Sequence, residues 1–197
     1  MRRWLARLMF VAGAACVGWV FVTWEQATFF QLYARSELQR LISDTRPPAA
    51  GLFARTPAPL RLDESVVGLL AIPRLSLSVI AVEGDDSHAL RIAAGHLSDT
   101  PLPWHDGNAT FAGHRDTFFH ALSELRVGDD IHITTRHGEF SYHVTRTLIV
   151  NPTDLSILQP HDGTALTLIT CYPFSYIGDA PQRFVVQAAR TEEDQES

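Results

Sequence analysis

From residue 66 to 189 the chain is a succession of short apolar, β-branched segments, each stopped within a few residues by Gly, Pro, Asn or Asp. That punctuation leaves little room for long helices and limits the fold more than any other feature. Residues 67–72 and 77–82 read as strands on either side of Pro73-Arg74. Asp85-Asp86-Ser87 offers a cap for a short helix over 88–94. Gly107-Asn108 turns into a strand over 109–114, and Phe118, Leu122 and Leu125 stand at helical spacing, which predicts a short helix over 117–125. The turn 127–130 leads into a strand over 131–135, and His137-Gly138 makes a hairpin into 140–150, where Phe140, Tyr142 and Val144 share a face. A polar loop, 151–162, precedes strands over 165–171 and 183–189. With no internal repeat, about eight strands predict a mainly β domain closed as an eight-stranded barrel with short helices.

The first 60 residues follow other rules. Residues 8–24 carry no charge, and 17 residues is the short end of what crosses a bilayer as a helix. Arg2, Arg3 and Arg7 precede the run, while Trp4, Trp19 and Trp24 stand where interfacial aromatics sit. This predicts an uncleaved transmembrane signal-anchor with its N-terminus in the cytoplasm and the domain outside. Neither a small-residue cleavage site after the run nor a lipoprotein motif at Cys16 competes with it. Residues 25–42 carry apolar side chains at Phe29, Leu32, Tyr33, Leu38, Leu41 and Ile42, a spacing that continues the helix. Four prolines within 43–59 then mark a linker.

Charge excludes one class of partner. All sixteen basic residues are Arg and three of them precede the apolar run, whereas all 22 acidic residues follow it. No basic stripe is available for nucleic acid. The absence of Lys also rules out self-acylation on a Lys side chain. Cys16 lies within the apolar run and Cys171 in the domain, so the two do not form a disulfide framework.

Cys171 ends the apolar strand Thr167-Leu168-Ile169-Thr170-Cys171, and Pro173 has no N–H with which to continue a ladder. A thiol at the open end of a strand is well placed to be a nucleophile, and it acts as the thiolate, which a cationic neighbour favours. His114 also ends a strand, in Ala112-Gly113-His114-Arg115-Asp116-Thr117. Arg183 opens the last strand; its guanidinium is always charged and cannot be a base, but it can hold an oxyanion. Together the three make a thiol acyl-transfer set. No carboxylate stands at a predictable offset to orient His114, so a Cys-His-Asp relay is not supported. Among the other histidines, His132 and His143 fall in alternating strands and look exposed, while His88, His96, His105, His120, His137 and His161 lie in helices or loops. No His or Cys pair has the spacing of zinc ligands, and the set of metal ligands expected is none.

These segments resemble the sortases, the membrane-anchored cysteine transpeptidases of bacterial surfaces, and among them most closely class D. Residues 166–171 are similar to the family's T-L-x-T-C signature and 112–117 to its G-H-R segment. Tyr172-Pro173-Phe174 with Ala180-Pro181-Gln182-Arg183-Phe184-Val185-Val186 resembles its arginine-bearing end. The resemblance implies Cys171 as nucleophile, His114 as general acid/base, Arg183 as stabiliser of substrate and transition state, and Thr170 as a residue shaping the oxyanion site. It implies that the loop 151–162 helps to read a sorting signal of the L-P-x-T-x kind at the C-terminus of secreted protein substrates. The acyl group would pass to an amine on a peptidoglycan precursor or a pilin Lys. No cofactor is implied. Some sortases bind calcium through acidic loops; Glu83, Asp85 and Asp86 form no recognisable ligand set and read as solvated turn charge. The predicted organisation is a cytoplasmic N-terminus (1–7), signal-anchor (8–24), helical stalk and linker (25–62), catalytic domain (63–190) and acidic, disordered tail (191–197).

Two rival readings differ in outcome rather than in residues. A cysteine peptidase would form the same acyl-enzyme and release it to water. A membrane-tethered binding module would keep the fold without turnover, and it has no need of Cys171, His114 and Arg183 together. An L,D-transpeptidase would carry S-H-G-C where this chain has Ile169-Thr170-Cys171.

Overall fold

The computed structural model describes residues 2–43, 65–158 and 163–191. The linker with the domain boundary near 63, the end of the polar loop with His161, and the tail from 192 lie outside the described residues.

Eight strands close into a barrel: β1 (Val66–Ile72), β2 (Leu77–Glu83), β3 (Ala94–His96), β4 (Asn108–Ala112), β5 (Asp130–Thr135), β6 (Gly138–Val150), β7 (Ala165–Tyr172) and β8 (Gln182–Arg190). Their order around the barrel is β1-β2-β3-β4-β7-β8-β6-β5. Two contacts are parallel, β2 with β3 and β4 with β7; each needs a crossover rather than a hairpin. The crossover from β2 to β3 holds a four-residue helix, α2 (Ala89–Ile92), capped by Asp86, whose Oδ1 accepts from His88 N at 2.7 Å and Ala89 N at 2.9 Å. The helix is shorter than the 88–94 predicted because Ala94 already belongs to β3, a strand of three residues with no alternation to announce it. That strand also takes in His96, which is buried rather than in a loop. Over 117–125 only a 3-10 turn forms, His120–Glu124, and the helical spacing there serves to bury Leu122.

The core fills the barrel. Leu166 and Leu168 of β7, Val186 and Ala188 of β8, and Ala109 and Phe111 of β4 all belong to it. Side chains alternate along a strand. Thr167, Ile169 and Cys171, Arg183, Val185 and Gln187, and Asn108, Thr110 and Ala112 therefore project from the outer face of β4-β7-β8. That outer face is where the candidate site lies.

The N-terminal helix, α1 (Arg2–Ser43), is continuous through the apolar run. Its last turns dock on the barrel by Ala34 and Leu38, which pack with Ile80, Val82, Ala89 and Ala93. Phe29, Leu32 and Tyr33, which carried much of the helical spacing, face away and are exposed. Among the described residues no helix is long and apolar enough to cross a membrane. The 17 uncharged residues span about 26 Å as a helix, against about 30 Å of bilayer hydrocarbon.

Candidate active site

β7 stops at Tyr172, before Pro173, so Cys171 sits at the open end of its strand. Across the antiparallel contact with β8 its partner is Arg183. Directly opposed residues share a face and hold their Cβ atoms about 4.5–5.5 Å apart. Pairing alone thus sets a thiol beside a guanidinium. On its other side Arg183 pairs with Val150, the last residue of β6. Arg183 Nη1 donates to Ala180 O at 3.2 Å and Gln182 O at 3.0 Å.

His114 comes from the other neighbour of β7. Ala112 pairs in parallel with Ile169, and Gly113 N donates to Ile169 O at 3.1 Å, carrying the ladder one residue past β4. Thr170 Oγ1 donates to Gly113 O at 2.7 Å. Thr170 is buried, so its hydroxyl contributes to the site by tying the histidine segment to the cysteine strand. After His114 the chain turns back on itself, with Phe119 N donating to His114 O at 3.1 Å. Arg115 Nη2 donates to Tyr176 O at 2.6 Å and Gly178 O at 2.8 Å, which fastens the loop between β7 and β8 to the same segment.

His114, Thr170, Cys171 and Arg183 line one open cleft of about 380 Å³. Ala112 and Ile169 belong to its floor. One wall is the connection after β6, with Leu155, Ile157 and Leu158; Leu90 of α2 and Leu97 also line the cleft. The cleft thus brings the reactive groups together with apolar side chains, as ligand sites do. The 155–158 wall falls within the loop 151–162 singled out in the sequence, whereas Leu90 and Leu97 escaped the motif reading because they lie far from any motif.

Asp154 and Asp85 also border the cleft. Asp154 is engaged within its own turn: the hydroxyl and N–H of Ser156 hold its carboxyl below the usual range. No hydrogen bond or ion pair joins His114 to a carboxylate among the described residues. Of the acidic residues weighed for calcium, Glu83 pairs with His96 at 2.8 Å and Asp86 caps α2. His143 is exposed as expected and pairs with Asp130 at 3.0 Å, whereas His132 is half-buried with Nδ1 3.0 Å from Ser141 Oγ; neither lines the cleft.

The family model for the sortase domain matches residues 70–191, more than half of the chain. The chain belongs to the sortase family. It is 40% identical to Sortase D of Bacillus subtilis over 124 residues, 62% of this chain and 63% of that protein, so it spans less than two thirds of that relative's length. Among solved structures, the Sortase D5 transpeptidase of Clostridium perfringens superposes with a TM-score of 0.58 at 27% identity, over 64% of this chain and 79% of that one. Sortase C1 of Streptococcus agalactiae does so with a TM-score of 0.62 at 26% identity, over 69% and 72%. Sortases are cysteine transpeptidases, and the matched residues include the whole lining of the cleft from Asp85 to Arg183.

Proposed function

We propose that this sortase cleaves a sorting signal through a thioester on Cys171 and passes the acyl group to an amine. The observation that carries the reading is the placement of Cys171, its cross-strand partner Arg183, and His114 on one peptide-sized cleft. The Cys171 thiolate attacks the carbonyl carbon of the signal's Thr, and the C–N bond breaks as the imidazolium of His114 gives its proton to the leaving amine. Arg183 and backbone N–H groups stabilise the tetrahedral oxyanion. The incoming amine then gives a proton to His114 and attacks the thioester, which releases the thiolate. Nucleophile, proton carrier and cation all come from the chain, so the reaction as proposed uses no cofactor.

The substrates on this reading are secreted proteins with a C-terminal signal of the L-P-x-T-x kind, read in part by the wall 151–158. The acceptor is an amine of a peptidoglycan precursor or a pilin Lys. The uncharged run 8–24 behind three arginines supports an N-terminal membrane anchor with the barrel outside the cytoplasm.

Mass spectrometry of the full chain with a panel of L-P-x-T-x peptides, with and without an amine, tests the reading. A thioester adduct in the wild type, converted to an amine-linked product and absent in Cys171→Ala, is the expected result. Adduct that yields only free acid would make the protein a peptidase, and no adduct with any peptide would overturn the reading.

A further inference from the structure

A backbone carbonyl ties one wall of the cleft to the barrel from two sides. Ile157 O accepts from Asn108 Nδ2 at 3.2 Å and from Gln187 Nε2 at 3.3 Å. Asn108 opens β4 and Gln187 lies in β8, the two strands that flank β7. The pair therefore reaches over the cysteine strand from both sides. Both amides project from the outer face of the barrel and are nevertheless only 1% and 3% exposed. Burying primary amides is unfavourable unless their hydrogen bonds are made, and here each amide is oriented by a second partner. Thr167 Oγ1 donates to Asn108 Oδ1 at 2.9 Å. Arg146 Nε, which can only donate, faces Gln187 Oε1, because an irregularity between Val144 and Arg146 brings Arg146 opposite Gln187. Both NH2 groups are left to point at the Ile157 carbonyl, which can only accept.

What they hold is the apolar wall. Ile157 itself is buried against the barrel, and Leu155 and Leu158 line the cleft beside it. Among the described residues, the turn hydrogen bond from Asp154 N to Asn151 O at 3.1 Å and the Asp154–Ser156 contacts stay within the segment 151–158. Neither amide belongs to the cleft lining, whereas Cys171, His114 and Arg183 are held by strand pairing that does not involve Ile157.

We propose that Asn108 and Gln187 are positioning residues that fix the 151–158 wall over the cleft and thereby set which peptides it accepts. The specificity part rests on the peptide-transfer reading above; the clamp itself can be measured without turnover. Releasing the wall weakens the apolar grip on the peptide and leaves the reacting groups in place, so KM and selectivity change while kcat does not.

The test uses the full chain with Asn108→Ala, Gln187→Met and the double substitution. Hydrogen exchange at amides 154–158 is expected to quicken by about tenfold (~1.4 kcal/mol) in the double variant, with β7 amides unaltered. With L-P-x-T-x peptides KM is expected to rise by about tenfold while kcat stays within about threefold, and preferences among peptides differing in one apolar side chain are expected to narrow. Unchanged exchange at 154–158 would overturn the clamp. Exchange that rises equally across β4, β7 and β8 would reduce the amides to a general structural role and overturn it too. A fall in kcat at constant KM would place them in the catalytic step, against the proposal. If the wild type forms no adduct with any peptide, the transfer reading fails on its own, and exchange at 154–158 still decides whether the clamp exists.

Discussion

A Cβ added at Gly113 would meet Phe119 Cδ2 at 2.6 Å and Cγ at 2.7 Å. Phe119 is fully buried among the core residues, so its ring has no free side to move towards. Gly113 is needed here for close approach, since its φ is not in the left-handed region. The same residue accepts the Thr170 hydroxyl and precedes His114, so a displacement there reaches the proposed acid/base directly. Gly113→Ala is expected to destabilise the fold by roughly 1–3 kcal/mol, as overpacking does. It should also lower the adduct-forming rate of the protein that remains folded. Denaturant unfolding together with single-turnover mass spectrometry would check both; full stability with full activity would show that the Phe119 contact gives way freely.

At the scale of elements, the docking of α1 matters most for the cleft. β3 covers β2 only from Ala81 to Glu83, which leaves the Leu77–Ile80 part of that edge to be closed otherwise. Gln31 closes it: Ile80 N donates to Gln31 Oε1 at 2.8 Å, and Gln31 Nε2 donates to Ile92 O at 2.7 Å. Arg35 Nη2 adds a bond to Ser78 O at 2.6 Å. One side chain thus joins the N-terminal helix to a barrel strand and to α2, whose Leu90 lines the cleft. Gln31→Ala leaves an N–H and a C=O without their partner, and an orphaned buried group costs about 1–3 kcal/mol. The expected outcome is a lower Tm for the full chain and faster hydrogen exchange at the Ile80 amide. Exchange at Ile80 equal to the wild type would mean that the helix does not guard this edge.

For the molecule as a whole, Asp129 is a buried carboxylate whose pairing is expected to contribute to stability against acid. Its carboxylate lies between the turn after β1 and the start of β5, and takes a bidentate contact from Arg74, with Oδ2 at 2.6 Å from Nη2. It also accepts from Arg126 N at 2.7 Å, while Arg74 reaches on to Glu124 O at 2.7 Å. Two segments distant in sequence, the turn at Arg74 and the stretch 124–129, are thereby fastened together. The Arg74 guanidinium holds the Asp129 carboxyl below the usual carboxylate range, and the Arg126 N–H adds to this. A carboxyl whose folded value is depressed stabilises the fold above its unfolded value, about pH 3.9, and that stability is lost as pH falls through the folded value. Asp129→Asn is expected to lower stability at pH 7 by roughly 1.5–3 kcal/mol, the worth of a hydrogen bond to a charged group. Its stability should also fall less steeply than the wild type's below about pH 4. Parallel acid branches for the two proteins, measured by thermal unfolding from pH 7 to 2, would sink the assignment.

Seven of the eight strands were legible in the sequence because alternation and Gly/Pro punctuation are local signals, carried within six or so residues. The ends near Cys171 and His114 were legible to within one or two residues for the same reason: Pro173 cannot donate, so β7 stops at Tyr172, while β4 stops at Ala112, two residues before the predicted end at His114. β3 was not legible, since three residues carry no period and its pairing is decided by β2 and β4. The face by which α1 docks was also out of reach. Phe29, Leu32 and Tyr33 are the larger apolar side chains, but the close approach to the barrel selects Ala34 and the amide of Gln31. Motif order put the thiol, the imidazole and the guanidinium in one chain, and no more than that. Their meeting depends on the parallel register of β4 on β7 and the antiparallel register of β7 on β8, contacts between residues far apart in sequence. A shift of one residue in either would turn the side chains to the opposite face, so the cleft exists only once the barrel has closed.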